Sequence, residues 1–172
     1  INRFPLPVKS SPGFLVNRVL APYMLEAMLI HQEGVPIEAI DEAALEFGMP
    51  MGPVELADTV GLDVCVMVTK TLGDSGQASD ASPAQIQAGA TLQKLVDEGH
   101  LGRKSGQGFY RWEKDKVLKH KERIAGHDLA PIRERLLKAY ISECEAALRD
   151  GIVSDADLLD AGMIFGTGFA PF

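Results

Sequence analysis

At 172 residues, with 46% hydrophobic and 24% charged side chains, the chain is long enough to bury a core and has the balance of a globular domain. Its formal charge of −7, from 24 acids against 17 bases, argues against a nucleic-acid partner, because an acidic surface repels a phosphate backbone. The longest apolar stretch, around Phe14 to Ile30, is broken by Asn17, Arg18, Pro22 and Glu26, which excludes a membrane span.

No secretory leader pattern opens the sequence. Cys65 and Cys144 form no CxxC pair and are expected as small core residues in a reducing compartment. The chain begins at Ile1 and stops inside what looks like a motif at Phe172, so it is expected to be a fragment.

In chain order, Leu6 to Lys9 reads as the end of a strand running into the turn Ser10-Ser11-Pro12-Gly13. Phe14 to Gln32 is apolar around most of a helical circumference and predicts a central helix, with a kink or irregular turn at Pro22 and a glycine stop at Gly34. Pro36 to Phe47 carries an apolar stripe of Ile37, Ile40, Ala44 and Phe47, and predicts a second helix ended by Gly48. After the rigid turn Met49 to Pro53 come a short helix over Val54 to Thr59 and another over Asp63 to Leu72.

Gly73 to Pro83 is small, polar and loop-like, and Ala84 to Glu98 is helical again. Four glycines between Gly99 and Gly108 predict a loop, followed by an extended segment, Phe109 to Trp112. A charged linker, Glu113 to Gly126, then leads to a helix from Leu129 to Asp150 and a last one near Ala156 to Ile164. Basic residues are densest between Arg103 and Arg123, a region suited to an anionic small molecule.

Shifted by 117 positions, the sequence meets itself. Arg18, Leu20, Tyr23, Glu26 and Gly34 fall on Arg135, Leu137, Tyr140, Glu143 and Gly151. With one residue added in the loop, Ala43, Phe47, Gly48 and Pro53 fall on Ala161, Phe165, Gly166 and Pro171. Shared hydrophobicity alone is cheap between two amphipathic helices, but shared Arg, Tyr, Glu and Gly is not, so a duplication is expected. It predicts that the two long helices pack together about an approximate two-fold axis, imitating a dimer within one chain.

Asn17 follows the Ser11-Pro12-Gly13-Phe14 turn. By the pattern alone it fits either an amide bonded to local backbone or one offered to a bound carbonyl or hydroxyl. Arg18 and Glu26 lie two helical turns apart, so each is expected to find a partner on another helix. The four histidines have no metal-ligand spacing, and no Ser/His/Asp set is present. Gly102 to Tyr110 fails the GxxxxGK[ST] spacing, no GxGxxG follows a strand, and the glycines are read as turn formers.

Taken together, SPGFLVNR, FGMPMGPVELADTVGLDV and GRKSGQGFYRW, in this order, resemble the 3-hydroxyacyl-CoA dehydrogenase family. The second, degenerate copy resembles the larger multifunctional fatty-acid oxidation enzymes. The resemblance implies an all-α fold with a minor extended segment near Phe109 to Trp112. It implies residues 1–13 as the tail of an NAD-binding Rossmann domain, 14–125 as a first helical C-terminal domain, and 126–172 as a truncated second copy.

It further implies NAD-dependent oxidation of (3S)-3-hydroxyacyl-CoA in fatty-acid β-oxidation by the parent enzyme, with NAD and a catalytic His–Glu pair in a domain outside these residues. No catalytic, cofactor-binding or metal-binding residue is then expected in this chain, which would be inactive alone. Asn17 maps onto a substrate contact. Phe165 stands where the family has a substrate-contacting tyrosine, leaving an apolar contact at most. An enoyl-CoA hydratase module, a thiolase subunit and a homodimer are implied as possible companions of such an enzyme. The location would be cytoplasmic in a bacterium and mitochondrial or peroxisomal in a eukaryote. The alternative is a structural docking or dimerisation module without substrate contact.

Overall fold

The computed structural model describes residues 5–72 and 82–169. Most of the loop expected over Gly73 to Pro83, and Pro171 of the repeat, lie outside the described residues. Seven helices are described: α1 Val16–Gln32, α2 Ile37–Glu46, α3 Pro53–Val60, α4 Leu62–Leu72, α5 Pro83–Asp97, α6 Leu129–Arg149 and α7 Ala156–Thr167. One small antiparallel sheet joins β1 Arg111–Glu113 to β2 Lys116–Leu118. The chain is therefore all-α with a minor extended segment. None of the described helices is long and apolar enough to cross a membrane.

α1 is the hub. Val19, Tyr23, Ala27 and Ile30 recur at helical spacing and are buried, while α6, α3 and α5 pack around them. α6 presents Ile132, Leu136, Tyr140 and Ala147 to the same core. α1 stays helical through Pro22. Cover on several sides offsets the one backbone bond that proline removes.

The later helices start on side-chain caps. Ser82 and Gln85 form a reciprocal capping box, and Asp128 and Asp155 accept amides at the starts of α6 and α7.

Two expectations fail. Residues 6–9 form no strand among the described residues. Lys9 N–H donates to the Ile152 carbonyl instead, an isolated bond with no ladder beside it to make a strand. The charged linker expected over Glu113 to Gly126 contains β2 and a short 3-10 turn, Lys121–Arg123. Lys114 and Asp115 both take positive φ, 48° and 64°, as a two-residue hairpin loop requires. Lys-Asp is not a typical pair for that turn, so the sequence hides the hairpin.

Candidate functional site

The entry to α1 is a sharp turn. Phe14 N–H donates to the Ser11 carbonyl, and Gly13 and Phe14 take φ of 77° and 50° in succession. A side chain at Gly13 would crowd the Arg18 amide. Phe14 has no such freedom, and an aromatic residue held left-handed stores strain of about 1–3 kcal/mol. The turn leaves Phe14 58% exposed. No side chain caps the first amides of α1, and its first turn has no acidic residue.

Asn17 stands one turn further on. It is exposed. Its side chain makes no hydrogen bond to any described residue, so it is not a local cap. It lines a shallow pocket of about 240 Å³ with Gly13, Phe14, Met67, Val68 and Thr71. The α4 residues of this wall were not singled out from the sequence. They belong to an ordinary-looking amphipathic helix, and only the fold sets them opposite Asn17.

Phe165 does not line this pocket. It lies 76% exposed on α7, whose Gly162 and Gly166 let that helix close on Leu15 and Val16 at the same end of α1. Further along the GTGFAPF run, Phe169 turns inward, stacked on Tyr140 and tilted against Phe47.

The two other motifs meet around two buried carboxylates that the sequence reading did not single out. Asp41 of α2 accepts from the amides of Val54 and Glu55, the Tyr110 hydroxyl and Lys119 Nζ. Lys119 also reaches Glu55 at 2.7 Å. Asp58 of α3 accepts from the amides of Phe109 and Tyr110 and from Trp112 Nε1, each at 2.9 Å.

Burial pushes both carboxyls above the ordinary range. Lys119 and the hydrogen bonds oppose this at Asp41, and the three donors oppose it at Asp58. Asp58 also explains two glycines. A methyl on Gly102 would overlap the Asp58 backbone, and one on Gly108 its carboxylate. Both motifs are thus a structural clamp, in which each of the four carboxylate oxygens accepts from at least one fold-defining donor.

Two of the histidines make local polar contacts. His31 pairs with the Val35 carbonyl, and His120 with Glu122. The thiols of Cys65 and Cys144 are half-buried, and burial pushes them up to about 11 and about 12, away from thiolate chemistry. The described residues do not suit NAD. Their sheet is a two-stranded antiparallel hairpin with no glycine-rich strand-to-helix turn to cradle a pyrophosphate.

Arg18 and Glu26 find partners on the other long helix. Arg18 reaches Glu143 and Asp150, both at 2.6 Å, and Arg135 reaches Glu26 at 2.7 Å and Glu33 at 2.5 Å.

Residues 13–112 match the family model for the 3-hydroxyacyl-CoA dehydrogenase C-terminal domain. Two curated relatives, both fatty acid oxidation complex subunit alpha, align over 98% of this chain. The one from Shewanella sp. strain ANA-3 is 34% identical and the one from Vibrio cholerae 36%. The chain spans only 25% and 24% of their lengths.

Among solved structures, 3-hydroxybutyryl-CoA dehydrogenase from Escherichia coli K12 superposes with a TM-score of 0.71 at 25% identity, over 96% of this chain and 52% of that one. (S)-3-hydroxybutyryl-CoA dehydrogenase from Ralstonia eutropha gives 0.54 at 38% identity, over 65% of this chain and 38% of that one. The chain belongs to the 3-hydroxyacyl-CoA dehydrogenase family, and what it contains is that family's helical C-terminal domain.

Proposed function

We propose that this chain is the substrate-site and association part of an NAD-dependent (3S)-3-hydroxyacyl-CoA dehydrogenase acting in fatty-acid β-oxidation. NAD and the catalytic His–Glu pair would belong to a domain outside these residues. The observation that carries the proposal is Asn17, an exposed amide without a hydrogen-bond partner among the described residues, set beside a strained Phe14 in a largely apolar pocket. Unused hydrogen-bonding capacity over apolar walls suits an acyl thioester, whose oxygens need donors and whose chain needs cover. The uncapped start of α1 places backbone dipoles on the same side. Asn17 would bond a substrate oxygen and hold the reacting carbon in one orientation.

In the full-length enzyme, Asn17→Ala should lower kcat about a hundredfold while the protein stays folded, the usual scale for one oriented bond at a reacting group. Values of kcat and KM within about twofold of the parent would remove Asn17 from the site. The isolated chain should show no saturable NADH binding by fluorescence and no turnover of acetoacetyl-CoA.

A second role rests on a different observation, the exchanged ion pairs of α1 and α6. The chain would hold a first unit over 14–125 and a truncated copy over 126–172, with residues 1–13 trailing from the nucleotide-binding domain. α6 would then occupy the place that a partner's α1 takes in a two-fold dimer. The Ralstonia structure overlaps 65% of the chain, about the share of one such unit. Under this reading a homodimer would not use the α1 face, and any thiolase subunit would dock elsewhere.

A further inference from the structure

We propose that a pocket at the opposite end of α1 from Asn17 binds a small zwitterion, with its ammonium group on Glu38 and its anionic group at Arg111 and Arg123. The pocket, of about 210 Å³, is lined by Glu38 and Ile37 of α2, by Gln107, Phe109, Tyr110 and Arg111, and by Leu118, His120 and Arg123. Phe109 meets His31 edge to face near the end of α1. His31 lies fourteen residues beyond Asn17, about 21 Å along the helix axis.

Glu38 carries the proposal. It is only 2% exposed, its Oε2 has no hydrogen-bond partner among the described residues, and its Oε1 makes only a long ion pair with Arg123 Nη1, at 3.8 Å and beyond hydrogen-bonding range. A buried carboxylate oxygen without a donor is costly, and an ammonium that displaces the neighbouring side chains to reach it would relieve that cost. The other charges facing this space are already committed or exposed. Lys119 turns inward to Asp41 and Glu55, and His120 pairs with Glu122. Arg111 and Arg123 remain exposed around the buried acid.

A simple anion would suit the arginines but be repelled by Glu38, and a simple cation would meet the reverse. A ligand carrying both charges satisfies both, and Ile37, Phe109 and Leu118 can cover a short apolar spacer between them. This gives a use to the basic stretch from Arg103 to Arg123, which the acyl-CoA reading does not employ.

Glycine, β-alanine and γ-aminobutyrate, which carry the same two charges at growing separation, can be titrated into the full chain by calorimetry and amide NMR. Acetate and methylamine serve as single-charge controls. At least one zwitterion should bind saturably in the millimolar range, about tenfold or more tighter than either control, with amide shifts confined to 37–38, 107–111 and 118–123. Glu38→Gln should weaken that binding about tenfold or more. Because Glu38 is buried, Arg123→Gln, on the exposed rim, provides an independent test and should weaken it similarly. No saturable binding, acetate binding as well as the best zwitterion, shifts at Gly13 to Asn17 instead, or unchanged affinity in a folded variant would each overturn the proposal.

Discussion

Tyr23 and Tyr140 meet edge to face where α1 packs on α6, with ring centroids 5.9 Å apart and ring planes at 83°. They stand 117 positions apart, and the same interval relates Arg18 to Arg135, Glu26 to Glu143 and Glu33 to Asp150. Exchanging the two helices therefore exchanges one set of ion pairs for the other, with the tyrosines between them.

The two arginines should nonetheless contribute unequally. Arg18 is 8% exposed and Arg135 39%. A buried guanidinium making two charge-assisted bonds is worth more than one that water can screen. Arg18→Met should cost about 2 kcal/mol in urea unfolding, and Arg135→Met about 0.5–1 kcal/mol. Equal losses would mean that burial does not set the balance.

The Tyr23 hydroxyl is buried without a hydrogen-bond partner among the described residues. Burial pushes its ionisation far above the ordinary tyrosine range, with Asp41 adding to the shift, so the group stays neutral. Tyr23→Phe keeps the ring contact and removes an unsatisfied polar atom. It should leave stability unchanged or raise it by about 1 kcal/mol. A loss of that size would reveal a partner for the hydroxyl.

Acid should loosen the contact between the long helices. Hydrogen bonds from Arg135 hold Glu33 below the ordinary carboxylate range, and those from Arg18 do the same for Asp150. A depressed folded pKa gives stability that is present above the unfolded value and lost as pH falls through the folded one. Stability should therefore decline below about pH 4, and Glu33→Gln with Asp150→Asn should flatten that limb. Both carboxylates are about half exposed, so added salt should shrink the effect. Asp41 and Asp58, shifted upward, act in the opposite sense, favouring the fold below the ordinary carboxylate pKa and losing that advantage as pH rises through the raised values. An acid limb unchanged in the double variant would sink the assignment to Glu33 and Asp150.

Much of this architecture is legible in the sequence because helices are local. The near-continuous apolar surface of Phe14 to Gln32 marks a central helix before any partner is known, and the offset between Arg18 and Arg135 points to α6. The β1–β2 hairpin was not legible, because its loop of Lys114 and Asp115 lacks the usual glycine. Asn17 was picked out by its motif, but its exposure was not, since that depends on where α4 lies. Asp41 and Asp58 were overlooked for the same reason. An acid on a short helix looks solvated until residues fifty or more positions away are folded over it.

The clamp around Asp58 yields the sharpest test. This carboxylate is 1% exposed and holds the amides of Phe109 and Tyr110 and the indole of Trp112, while Gly108 passes so close that a methyl there would overlap it. Asp58→Ala strands three donors in the interior and should cost about 3 kcal/mol or more. Gly108→Ala forces the loop off the carboxylate and should cost about 1–3 kcal/mol. The two losses share one cause, so they should not add. With the Asp58 side chain gone, the methyl at 108 has room, and the double variant should be more stable than the sum predicts by about 1 kcal/mol. Trp112 is the single tryptophan, so its fluorescence during urea unfolding reads the clamp directly. Strictly additive losses would mean that Gly108 is required for some reason other than its approach to Asp58.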